Sequence, residues 1–316
     1  MQDDTARRPP WSVLALQDLI VLAYMALCAI LLWIRSPSPG PGPVIREIYA
    51  CLVLIPGAAY AARSVPQIPR VLRLNFYRVV VVGSILWGYL MLRDVLPVIR
   101  PDSVDSSLAA ADQLIFGGQP VLWLERLNTR WFIEWMSFFY FNYYTLLGLH
   151  IVGAVWISRS PRVAAEFGIG TALLFCIGHV GYMCVPAYGP VVYFADRFQA
   201  PLDGTTFWGL VYRSVAAGGA LKDVFPSLHT GASTWLALFA VHQAVLDKRW
   251  RIPAAITVFF AANIVVSTLV LRWHYAIDVL AGLTLASTVA YAAAKLVPYE
   301  EARRKRLGWP PVWPDT

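Results

Sequence analysis

The stretch Arg251–Leu296, RIPAAITVFFAANIVVSTLVLRWHYAIDVLAGLTLASTVAYAAAKL, decides the fold. It holds two apolar runs, 252–271 and 275–296, each close to the ~20 residues an α-helix needs to cross the hydrocarbon core of a bilayer. Only Arg272, Trp273 and His274 separate them, so the chain leaves the bilayer and re-enters it at once. Working outward, six more runs of similar kind occupy 12–34, 44–62, 75–96, 135–157, 163–185 and 229–246. The first is too long, and too poor in small cleavage-site residues, for a removable signal peptide. The second carries Arg46, Glu47 and Pro56 and reads as the weakest, a shallow or tilted element. No soluble domain fits between the runs, and the one low-complexity linker is Ser36–Pro43. The expectation is an all-α polytopic membrane bundle of about eight spans.

Composition agrees. Of 316 residues 58% are hydrophobic and 14% charged, where a soluble domain carries about 25% charged residues. An ordinary soluble enzyme and a disordered tail protein are thereby excluded. Cys28, Cys51, Cys176 and Cys184 are too few and too scattered for a disulfide framework. Each sits in an apolar run and reads as a small packing residue. A net charge of +7 would suggest nucleic acid in a soluble chain. Here the charges flank apolar runs, so membrane topology explains them better and no nucleic-acid partner is expected.

Lys and Arg set the orientation. With the N-terminus inside, the inner segments hold Arg7, Arg8, Arg63, Arg70, Arg73, Arg78, Arg159, Arg162, Lys248, Arg249, Arg251, Lys295, Arg303, Arg304, Lys305 and Arg306, most of the basic residues. Both termini are then cytoplasmic, and the long loops 97–134 and 186–228 are exoplasmic. Such loops usually carry function when the spans are featureless. Within the first, residues 121–127 have helical spacing and suit an interfacial helix, with Trp123 and Trp131 at headgroup depth.

Two of the five histidines fall at span boundaries on the outer side. His229 lies in Phe225-Pro226-Ser227-Leu228-His229-Thr230-Gly231, where Pro226 favours a helix start and Ser227 can cap it. An anion is welcome at that helix end. His274 opens the last span, and Asp278 follows four residues later, on the same face of a helix. An aspartate one turn into the membrane needs a partner, and His274 is in the right place. A carboxylate on one imidazole nitrogen leaves the other free as a nucleophile. His229 can serve as general acid. Phosphoryl transfer also needs positive charge around the equatorial oxygens, for which Arg272, Lys222, Arg213 and the helix end at Ser227 are candidates. No acidic cluster suited to Mg²⁺ accompanies the histidines, so no metal or other cofactor is expected. His179, inside the fifth span, and Tyr188, in the second long loop, are candidates for contact with substrate. His150, His242, Asn142, Tyr143 and Tyr144 read as polar contacts or cavity residues.

The segments Phe225–Gly231 and His274-Tyr-Ala-Ile-Asp278-Val-Leu-Ala-Gly282 resemble the second and third motifs of the type-2 phosphatidic acid phosphatase superfamily. The resemblance extends over roughly residues 105–290. It implies a core of six membrane helices, a phosphohistidine formed on His274, Asp278 as its partner and His229 as the acid. Phe-Pro-Ser-Leu-His, the segment Val185-Pro186-Ala187-Tyr188-Gly189-Pro190 and the Asp112-Gln-Leu-Ile-Phe-Gly run make inositol phosphorylceramide synthases and related phosphotransferases the most similar branch. The first superfamily motif, Lys-x6-Arg-Pro, is missing, and Thr268 stands where the third motif carries an arginine. Phosphate must therefore be held by other groups.

The chain then divides into an N-terminal region with one or two spans (1–74), a catalytic membrane domain (75–296) and a basic cytoplasmic tail (297–316). The expected activity is metal-independent transfer of a phosphate-linked headgroup from a phospholipid donor to a lipid or polyol acceptor. With water as acceptor the same machinery is a lipid phosphatase. A transporter or scramblase is the rival of another class. It calls for internal symmetry and polar groups at the midplane, whereas the polar cluster here sits at one face. A vanadate-dependent oxidase on the same bundle ranks lowest.

Overall fold

The computed structural model describes residues 9–36, 40, 42–218 and 221–313. Arg7, Arg8 and much of the Ser36–Pro43 linker lie outside the described residues. Fourteen α-helices follow one another, and no strand occurs among the described residues. They are α1 (Leu16–Arg35), α2 (Val44–Ser64), α3 (Arg70–Leu90), α4 (Leu92–Ile99), α5 (Asp105–Phe116), α6 (Pro120–Trp123), α7 (Arg130–Phe141), α8 (Tyr143–Val152), α9 (Pro161–Cys184), α10 (Pro190–Tyr193), α11 (Thr206–Gly218), α12 (Leu228–Leu246), α13 (Arg251–Val270) and α14 (Ala276–Arg306).

Among the described residues seven helical segments are long and apolar enough to cross a membrane: α1, α2, α3, α7 and α8 taken together as Arg130–Ile157, α9, Lys248–Val270 and α14. The doubtful second run is therefore a full helix, with Pro56 accommodated inside it. The run expected at 229–246 forms α12, 19 residues long, but it is not among the seven. The reason is its place in the bundle. α12 packs against α9, α13 and α14 at the centre, so Thr230, Ser233 and Gln243 are buried in protein and its mean hydropathy need not be high. Outward-facing positions elsewhere are apolar: Val53, Val71, Leu149, Ile157 and Ile252 are all exposed. An aqueous surface would not favour that pattern; a hydrocarbon solvent does.

Small residues set the central packing. Trp235 of α12 is fully buried against Gly170 of α9, and its indole nitrogen donates to Thr171 Oγ1 at 3.3 Å. Three of the four cysteines are buried as packing residues, while Cys184, at the end of α9, is exposed.

The last helix runs on to Arg306, well past the apolar run that ends near 296. Its end does not dangle. Arg304 donates to the carbonyls of Ser12 and Leu14 at 2.7 and 2.8 Å and pairs with Glu300 at 3.1 Å. Beside it, Arg63 of α2 pairs with Asp18 of α1 at 3.3 Å and donates to Val13 and Val312 carbonyls. Tyr77 of α3 donates to Asp18 at 2.6 Å. Segments from both ends of the chain thus share one buried polar knot. It stands about 45 Å from the start of α14, at 1.5 Å per residue over 31 residues.

A buried pair that loses one partner leaves an uncompensated charge, at a cost of about 3–5 kcal/mol. Arg63→Ala should therefore lower the thermal unfolding midpoint of the purified protein markedly, whereas Arg249→Ala, at an exposed pair, should leave it nearly unchanged.

Candidate active site

Two helix starts meet at one end of the bundle. Ser227 is the N-cap of α12, and its Oγ accepts from the Thr230 amide at 3.3 Å. Its own amide donates to the Asp278 carbonyl of α14 at 3.1 Å. The seam beneath this contact has no slack: a Cβ added at Gly282 would lie 2.5 Å from the Ser227 carbonyl oxygen and 3.1 Å from Thr230 Cβ. The facing Gly231 is less tightly placed, with 3.4 Å to its nearest neighbour. The glycine that closes the third motif is thus what lets the two helix tips touch. His229 and His274 then face each other with ring centroids 6.4 Å apart.

His274 is held differently from the i,i+4 helical stacking that its spacing predicts. It precedes the N-cap, Tyr275. Its amide and that of Trp273 both donate to the Thr268 carbonyl at the end of α13. Arg272, just before, takes a left-handed conformation at φ 66° to make this turn. Asp278 bends back over the helix start, its Oδ2 accepting from the Tyr275 amide at 2.8 Å. That oxygen lies 3.5 Å from His274 Nδ1. The separation is longer than an ordinary hydrogen bond, as pairs of this kind often are before substrate tightens them. Neither His274 Nδ1 nor Asp278 Oδ1 has another protein partner.

The start of α14 is finished from outside. Asp112 of α5 accepts from the Ala276 and Ile277 amides at 2.9 and 2.8 Å. Asp105, at the first turn of α5, accepts from the Tyr188 and Gly189 amides and from Tyr275 Oη, at 2.8–2.9 Å. Gly189, at φ 89°, sits where a Cβ would be 2.6 Å from the Trp273 carbonyl oxygen. The Asp112 segment and the Val185–Pro190 segment therefore act as braces for the turn that carries His274.

A cavity of about 210 Å³ opens between the histidines and α3, α8 and α9. Its wall holds Tyr89, Tyr140, Tyr143, Tyr144, Tyr182 and Tyr188, together with Trp273 and Asp223. Tyr140 stacks on His229 with centroids 4.3 Å apart, and Tyr143 lies at 4.5 Å. Asp223 accepts from Tyr89 Oη at 2.7 Å. Burial pushes the His274 imidazole down to about 4, against the Asp223 carboxylate and the Val224 backbone, which raise it. His274 is therefore neutral near pH 7, with a lone pair available. His229 Nε2 and Trp273 Nε1 also lack protein partners.

Most of the other residues singled out in the sequence lie off this wall. Arg272 pairs with Glu125 at 3.1 Å, donates to the Ala200 carbonyl and stacks on Phe198. Lys222 is bound by the carbonyls of Arg100, Pro101 and Asp102. Arg213 is exposed and donates to Gly209 of its own helix. Ser227 is occupied as a cap. His179 is buried behind the wall, among Tyr24, Tyr89, Phe175 and Tyr182. Tyr188, Tyr143 and Tyr144 do reach the cavity, whereas the Asn142 amide turns back to the Phe138 carbonyl. His150 contacts Leu146 and Thr257, and His242 binds Glu166 at 2.6 Å, both away from the site. Asp105 and Asp223 escaped sequence reasoning. Asp223, two residues before the Phe225–Gly231 motif, was the more accessible of the two, because an acid beside a motif histidine is a visible signal. Among the described residues no group of three His, Cys, Asp or Glu is arranged to hold a metal ion.

The chain belongs to the PAP2 superfamily, whose family model matches residues 107–292. That match contains both histidine segments, Asp112 and Asp278, and leaves α1–α4 outside. No curated protein and no solved structure matches the chain.

Two substitutions separate bracing from chemistry. Asp112→Ala orphans two buried amides, each worth about 1–3 kcal/mol. It should lower the unfolding midpoint and any activity together. Gly282→Ala should cost about 1–3 kcal/mol by overpacking and reduce activity, while Gly231→Ala is tolerated in both assays.

Proposed function

We propose that the protein is an integral membrane phosphotransferase that moves a phosphate-linked headgroup between lipids through a phosphohistidine on His274, in the manner of inositol phosphorylceramide synthases. The supporting observation is the convergence of two imidazoles from separate helix starts on one cavity, with His274 Nδ1 against Asp278. His274 Nε2 attacks phosphorus, the bond from phosphorus to the donor's glycerol oxygen breaks, and His229 gives that oxygen its proton. An acceptor hydroxyl then returns a proton to His229 as its oxygen attacks phosphorus and the N–P bond breaks. Asp278 fixes the tautomer that leaves Nε2 unprotonated.

Lipid substrates suit the space. The cavity shares Ile85, Leu86, Leu147 and Phe175 with a second, apolar groove that runs between α3, α8 and α9 toward Trp313. Its apolar lining suits contact with an acyl chain, with the headgroup at the histidines. We place the histidines on the exoplasmic side and both termini in the cytoplasm, because the basic residues gather at the far end of the spans. No metal is assigned a role.

Incubation of purified protein with labelled phospholipids, with and without a hydroxyl-bearing lipid, should yield the transferred headgroup by mass spectrometry. Water as the only acceptor would make the protein a lipid phosphatase. His274→Ala should abolish transfer, and full activity in that variant would refute the covalent route. His229→Ala should slow it by about 10²–10⁴-fold, and Asp278→Asn by about a hundredfold or more. EDTA should leave the rate unchanged. Because the His274 nitrogen stays unprotonated down to about pH 4, formation of an acid-labile phosphoenzyme should not fall between about pH 7 and pH 5, where an ordinary histidine gains a proton.

A further inference from the structure

The cavity wall has an unusual electrical character. Its ionisable side chains, apart from tyrosines, are His229, His274 and Asp223; among the described residues no lysine or arginine lines it. The three cations next in sequence to wall residues, Arg272, Lys222 and Arg213, are committed elsewhere, Arg272 in its pair with Glu125. Lys222 is held by three carbonyls and lies behind the Tyr188 ring at 5.2 Å, and Arg213 points outward on α11. An anionic phosphate entering here meets a fixed carboxylate and no fixed positive side chain. Electrostatics then favours a phosphate that brings its own cation.

The wall is built for such a cation. Six tyrosines and Trp273 surround the space, and aromatic faces attract ammonium groups, with estimates of about 2 kcal/mol or more when the site is dry. Asp223 provides the opposite charge in the same space. It accepts one hydrogen bond, from Tyr89, and as an ionised carboxylate has further acceptor sites. On the phosphate side, Trp273 Nε1 is a donor without a partner. The resemblance to inositol phosphorylceramide synthases implies a polyol headgroup. A polyol headgroup could use the tyrosine hydroxyls and Ser214 of this wall, but it would leave the Asp223 charge and the aromatic faces without a counterpart.

We infer that, in place of the inositol lipid donor that the resemblance implies, the cavity selects zwitterionic phosphodiesters whose headgroup carries an ammonium, held between Asp223 and the tyrosine rings, over neutral polyol headgroups and over phosphomonoesters. This inference rests on the proposed lipid chemistry for its biological meaning, but binding tests it independently of turnover.

The experiment uses the full-length protein in a neutral maltoside detergent. Short-chain lipids with choline, ethanolamine, glycerol and inositol headgroups, and a phosphomonoester of the same chain length, are titrated while Trp fluorescence and thermal unfolding are followed. The expected result is binding of the choline or ethanolamine lipid at least about tenfold tighter than the glycerol, inositol and monoester lipids. Asp223→Asn should erase that preference, and Tyr89→Phe should largely keep it. His274→Asn should keep it too. Equal binding across the headgroups, or tightest binding of inositol or monoester, overturns the inference, and this comparison needs no variant to fold. An undiminished preference in a folded Asp223→Asn protein also overturns it. Selective binding without headgroup transfer in any lipid mixture would defeat the proposed reaction while leaving the selectivity standing. Transfer from inositol lipids with no ammonium preference would do the reverse.

Discussion

The start of α14 is the constraint on which the site depends. A helix start leaves several amides without partners, and burial makes each of them costly. Here three are answered by two carboxylates, Asp278 from within the helix and Asp112 from α5. His274 lies immediately before the cap, so its position follows from that of the capped turn. The Ser227–Asp278 backbone contact and the Gly282 seam then fix how near α12 can come. Site, caps and close packing are thus one arrangement, in which the carboxylate that faces His274 also caps a helix start.

The bundle was largely legible in the sequence, because hydrocarbon solvent demands long uninterrupted apolar runs and leaves few alternatives. α12 shows the limit of that reading. It was found by length, but its buried polar residues belong to a helix surrounded by protein. The two histidines, Asp278 and the Ser227 cap were readable because each rests on local spacing. The braces were not. Asp112 reaches Ala276 across 164 residues and Arg272 meets Glu125 across 147, and no periodicity reports such a pairing. For the same reason the cations expected around phosphate proved to be engaged elsewhere. A charge near a motif in sequence is free to serve the fold instead.

The region preceding the family match takes part in the site. α3 supplies Tyr89, Ile85 and Leu86 to the cavity wall; α1 and α2 pack on it, and α1 packs on α9 as well. The knot of Asp18, Arg63, Tyr77 and Arg304 ties these helices to the far end of α14. One long helix therefore carries the His274 turn at its start and the fastening of the N-terminal helices at its end.

The glycine seam also determines which parts of the molecule are open to redesign. At Gly282, between α14 and α12, even a methyl group collides with backbone, so that position offers an engineer no room for variation. The opposite flank is lined by side chains from α3 and α8, whose ends rather than their backbone face the cavity. A reshaped substrate range would come from trimming or enlarging that wall, with the histidine tips left untouched.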